Sequence, residues 1–103
     1  MLKLVANPTF HARVAVPTPG GPVEIKVEFK HKTKSQYDAL IQEWTETGRK
    51  YDAAVMDIAV GWSGIDAEFN AENIVEFGQQ YHAGPRAIVE AYVESLTQAK
   101  SGN

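Results

Sequence analysis

Asp66, Glu68, Asn70 and Glu72 place side-chain oxygens at alternate positions, as the opening of a calcium loop does. Such a loop also needs a glycine at its sixth position and a bidentate glutamate at its twelfth. Those positions hold Ala71 and Phe77, so the calcium reading fails. Acidic residues at the start of a helix, favoured by the positive end of its dipole, account for the cluster better. Gly61-Trp62-Ser63-Gly64-Ile65 approaches a nucleophile elbow, but Ile65 stands where the pattern needs glycine, and no strand is expected before it.

The three histidines are not at metal-ligand spacing. His11 belongs to the polar side of an alternating stretch, His31 shares the parity of Phe29, and His82 lies in a distant turn. A surface His11 facing Glu28 is the simpler account. The lysines and arginines of the first third suggest nucleic acid, yet a stacking platform needs exposed aromatic rings beside the cations. Phe10 and Phe29 fall on the apolar side, and Glu24 and Glu28 interrupt the lysines. Gly20-Gly21 sit between prolines and form no phosphate cradle. The sequence thus points to no enzyme, cofactor, metal or nucleic acid.

Alternation sets the first elements. Phe10, Ala12, Val14 and Val16 alternate with His11 and Arg13, and Val23, Ile25, Val27 and Phe29 alternate with Glu24, Lys26, Glu28 and Lys30. Period two predicts half-buried strands, and Pro17-Thr18-Pro19-Gly20-Gly21-Pro22 between them is turn chemistry. Pairing Val16 with Val23 also pairs Val14 with Ile25, Ala12 with Val27 and Phe10 with Phe29. Every apolar residue then lies on one face, and a slip of one residue would destroy this. A lone hairpin is marginal in water, so that face must cover helices.

Helical spacing follows. Ser35 or Thr33 can cap a helix bearing Tyr37, Leu40, Ile41 and Trp44, with Gly48 as its stop. Asp52 begins a second, with Val55, Ile58, Ala59 and Trp62 on one face. The stretch from Val60 to Asn73 reads as a corner between two helices, with Asn70 capping a third that carries Ile74, Phe77 and Tyr81. Pro85 opens a fourth with Val89, Tyr92, Val93 and Leu96. Val75 and Ile88 fall off these stripes, and Lys100-Ser101-Gly102-Asn103 reads as a frayed tail.

The expected fold is α+β: an N-terminal two-stranded antiparallel β-hairpin packed on a bundle of about four α-helices. A chain of 103 residues suits a single domain, 1–103, with 1–32 as the hairpin and 33–100 as the helical part. The absence of cysteine excludes disulfides and is compatible with a reducing cytoplasm. No signal-peptide layout and no membrane-length apolar run is present, so a soluble intracellular protein is expected.

Residues 1–34 carry six Lys/Arg against two Glu, a charge of +4. Residues 35–103 carry four against eleven Asp/Glu, −7, which completes the formal −3. That asymmetry leads us to expect association between copies.

Three stretches in order carry a family likeness: Leu2-Lys3-Leu4-Val5-Ala6-Asn7-Pro8-Thr9-Phe10 before a Pro/Gly-tipped hairpin; Gly61-Trp62 with Ile65-Asp66-Ala67-Glu68-Phe69-Asn70-Ala71-Glu72-Asn73; and Ala87-Ile88-Val89-Glu90-Ala91-Tyr92. Together they resemble the small tail assembly chaperones of long-tailed bacteriophages. The resemblance implies a non-enzymatic role in virion assembly, escorting the helical tape-measure protein and helping to recruit tail-tube subunits. It further implies a place in the cytoplasm of the infected or lysogenic host and absence from the mature virion. A small acidic adaptor or inhibitor of another phage or host protein is the alternative. Trp62, Ile65 and Phe69, with Phe77 and Tyr81 as neighbours, form the candidate partner surface, because so many large apolar groups around one turn exceed what a core is expected to hide. The plainer reading is that all five are core.

Overall fold

The alternating segments form β1 (Thr9–Val16) and β2 (Val23–Lys30), in a computed structural model that describes residues 1–98. The stretch expected to fray, Lys100 to Asn103, lies outside the described residues. The two strands pair antiparallel in the register that alternation demands, with Phe10 opposite Phe29, Val14 opposite Ile25 and Val16 opposite Val23. Val14, Val16, Ile25, Val27 and Phe29 are buried. Val23, beside the turn, departs from expectation and is 52% exposed. On the outer face His11 Nε2 lies 3.8 Å from Glu28 Oε1, and Arg13 Nε lies 3.9 Å from Glu24 Oε1.

The sheet has a third strand, which corrects the expected two-stranded hairpin. The second helix, α2, covers only Tyr51–Ile58, and the chain then becomes β3, Ala59–Ser63. β3 pairs antiparallel with β2, giving the order β1-β2-β3. The reason for the misreading is a bulge. Phe29 faces Ala59 and Glu28 faces Gly61, so Val60 is the extra residue and is 43% exposed. Ala59 and Trp62 consequently turn the same way although they are three apart, a spacing that imitates a helix. The corner is therefore a strand-to-helix connection. A strand does lead to Ser63, but no hydrogen bond joins Ser63 to His11 among the described residues.

The remaining helices are α1 (Lys34–Thr47), α3 (Ala71–Gln80) and α4 (Gly84–Thr97). Thr33 caps α1 in a capping box with Gln36, and Gly48 ends it at φ 61°. Asn70 Oδ1 accepts from Asn73 N at 2.8 Å to start α3, and Pro85 opens α4. The core joins the inner face of the sheet to Ala54, Val55 and Ile58 of α2, Ile74 and Phe77 of α3, and Ile88, Val89 and Tyr92 of α4. Ile88, placed off the apolar stripe by periodicity, is fully buried, whereas Val75 is 48% exposed. α4 packs against β1, and α2, α3 and α4 contact one another.

α1 lies at the margin of this layer, with Tyr37, Leu40 and Trp44 packed against the core. None of its residues is buried, and Tyr37, Leu40, Ile41 and Trp44 are half-buried. A polar clasp holds its C-terminal end: Trp44 Nε1 donates to Asp57 Oδ2 at 2.9 Å, and Arg49 forks onto the same carboxylate at 3.0 and 2.8 Å. Under the sheet Tyr92 packs against Phe10 and Phe29, and its hydroxyl donates to the Lys30 carbonyl at 2.9 Å. Burial, with a smaller contribution from Tyr37, pushes the Tyr92 phenol up to about 12. Among the described residues no helix is long and apolar enough to cross a membrane.

Candidate partner-binding seam

The end of β3 delivers Trp62 to the inner edge of the sheet, opposite Val27. Its indole Nε1 donates to the Ala67 carbonyl at 2.7 Å, which draws the loop after β3 back over the ring. Asn73 Nδ2 binds the Glu68 carbonyl at 2.8 Å and fastens the same loop to α3. Gly64 turns the chain at φ 94°, a left-handed conformation that side chains disfavour. The loop is thus held by side-chain bonds at both ends, and it presents Ile65 and Phe69 at fixed positions.

Four of the five candidates form a continuous line of rings. Phe69 meets Trp62 edge-on with centroids 5.2 Å apart, Trp62 meets Phe77 at 5.6 Å, and Phe77 meets Tyr81 at 5.8 Å. Such tilted contacts are the favoured aromatic geometry. Exposure grades along the line. Phe77 is core at 7%, Trp62 and Phe69 are half-buried, and Tyr81 is 40% exposed. Ile65, also half-buried, lies beside the line and shares a groove with Phe77 and Tyr81. Phe77 accordingly supports the surface from beneath, and the accessible members are the other four.

The family model that matches residues 1–103 is described as phage tail assembly chaperone. The chain belongs to that family. No curated protein and no solved structure gives a significant match.

In this tail assembly chaperone the seam is rimmed by exposed Asp66, Glu68 and Glu72. Among the described residues no group of three or more His, Asp or Glu is placed to hold a metal ion. The far wall of the groove comes from Val16, Val23 and Ile25 at the tip of the hairpin. Sequence reasoning missed this wall, because only the folded sheet brings the hairpin tip to Ile65. It missed the clasp on Asp57 too, since Trp44 and Asp57 lie on different helices and share no local pattern.

Proposed function

We propose that this chaperone binds the tape-measure protein of its phage through the aromatic seam and helps to recruit tail-tube subunits. It does so without catalysis, in the cytoplasm of the infected or lysogenic host, and does not remain in the mature virion. Family membership supports the assembly role, and the observation that carries the site is the continuous line from half-buried Phe69 to exposed Tyr81. A partly exposed apolar line on a rigid loop and helix is what an amphipathic helix needs to dock by its apolar face. The acidic rim favours a partner with basic residues flanking that face.

Co-expression with the tape-measure protein tests the reading. The wild-type chain should be recovered as a complex. Tyr81→Ala should leave folding within about 0.5 kcal/mol, as for ordinary surface positions. It should weaken the complex by roughly tenfold or more, as loss of an interfacial tyrosine anchor does. Phe77→Ala should instead cost about 3–5 kcal/mol of folding stability, the usual penalty for emptying a buried phenylalanine site. If the wild-type chain gives no complex, tape-measure binding is lost, and a small adaptor for another protein takes its place.

A further inference from the structure

An arm precedes β1 and stays in solvent. Leu2 is 95% exposed, Leu4 102% and Val5 77%, and Met1 is fully exposed as well. Single exposed apolar residues are ordinary, but four within five positions are not. Among the described residues Lys3 Nζ binds only the amide oxygen of Asn7, at 2.7 Å, and its charge meets no carboxylate.

The second uncovered apolar feature is the groove at the hairpin tip, bounded by Val16, Val23, Ile25, Ile65, Phe77 and Tyr81, with a volume of about 250 Å³. That is below the roughly 300–1,000 Å³ of small-molecule sites and suits a few aliphatic side chains. Asp66 stands at its rim.

The arm does not fill the groove of its own chain. β1 lies between them, and its eight residues span roughly 23 Å at about 3.3 Å per step. Leu4, five steps before Thr9, reaches at most about 18 Å and falls short of the wall formed by Val16 and Val23. Leu2 would arrive only along a dead-straight path, and α4, packed against β1, obstructs the inner face.

We propose that two copies of the chain exchange these arms, Leu2 and Leu4 of each filling the groove of the other. Lys3 then comes to lie beside Asp66 of the second copy, pairing opposite charges at the rim. Arm and groove sit at opposite ends of the β1–β2 hairpin. An antiparallel two-fold arrangement therefore satisfies both contacts at once and closes the assembly at two. The exchange occupies Ile65 and Tyr81 of the seam and so competes with tail-protein docking there, and its test needs this chain alone.

Sedimentation of the full chain at rising concentration should approach the mass of two copies. The arm variant L2D/L4D and the groove variant V23K should each raise the dimer dissociation constant by about tenfold or more, because the altered anchors are central to the contact. All three positions are exposed, so thermal melts of the variants should match the wild type at concentrations low enough for both to be monomeric. The chain has no cysteine, so mixed L4C and V23C chains can report the contact directly. Disulfides between unlike chains should exceed their statistical share. Wild-type monomer up to about 1 mM, where only very weak contacts fail to show, would overturn the proposal. So would an L2D/L4D variant that associates like the wild type, a mass that climbs past two copies without a plateau, or a statistical mixture of disulfides.

Discussion

A β-carbon at Gly84 would stand 2.6 Å from Cε2 and Cζ of Phe77. Phe77 is buried and touches both Trp62 and Tyr81, so it has little freedom to move away. Gly84→Ala should cost about 1–3 kcal/mol through overpacking. The gain in helix propensity, at most about 1 kcal/mol, does not offset this at the first residue of a helix. A thermal melt should show the loss, and the Trp62 indole signal should shift as the ring beneath it turns. Tyr92 gives a second residue-scale test. Its phenol is held neutral well above the usual value of 10.0, at about 12. The folded state therefore keeps a proton that the unfolded chain releases, and stability falls as pH rises from 10 towards 12. Tyr92→Phe should flatten that part of the curve in pH-dependent denaturant melts. At neutral pH it should cost about 1 kcal/mol for the lost bond to the Lys30 carbonyl.

Elements differ in how openly the sequence declares them. β1 and β2 were legible down to their register, because burial of one face leaves a period-two pattern only one acceptable pairing. The caps at Thr33, Gly48, Asn70 and Pro85 were legible for similar local reasons. β3 was hidden, since the bulge at Val60 gives Ala59 and Trp62 the spacing of a helix face. The five seam residues were recognisable as large apolar groups near one bend, but their division into support and surface was not. Phe77 and Tyr81 share a helical spacing, but α3 ends at Gln80, so Phe77 is buried against Gly84 while Tyr81, the cap residue, is 40% exposed. The apolar face of α1 was legible, since Tyr37, Leu40 and Trp44 pack against the core, but its polar clasp was not, because Asp57 lies on another helix. Asp57→Ala removes the partner of both Trp44 and Arg49. Hydrogen bonds to a charged group contribute about 1.5–3 kcal/mol, less where solvent reaches them, so a loss near 1–2 kcal/mol is expected. Hydrogen exchange should place that loss in α1, with faster exchange across Gln36 to Thr47 and unchanged protection in β2. Uniform acceleration through the sheet would show that α1 is an integral part of the core.

At the scale of the whole molecule, the +4 and −7 segments of the sequence offer a second route to association, attraction between unlike charges of two copies. Charge-driven association, expected from the sequence, needs separated poles, whereas arm exchange needs only the exposed leucines and the groove. Salt distinguishes the two. The screening length shrinks from about 30 Å at 0.01 M to about 3 Å at 1 M, so attraction between poles would fade steeply. Arm exchange contains two symmetry-related rim ion pairs, Lys3 of each copy with Asp66 of the other, and exposed pairs contribute about 0–1 kcal/mol each. Loss of both pairs raises a dissociation constant by no more than about thirtyfold. Sulfate, which is excluded from protein surface, should tighten the same dimer by favouring burial of Leu2 and Leu4. Sedimentation at low and high sodium chloride, then in sulfate, reads both effects. A rise of about a hundredfold in sodium chloride, equivalent to nearly 3 kcal/mol, would put charge in control of association instead of the arms.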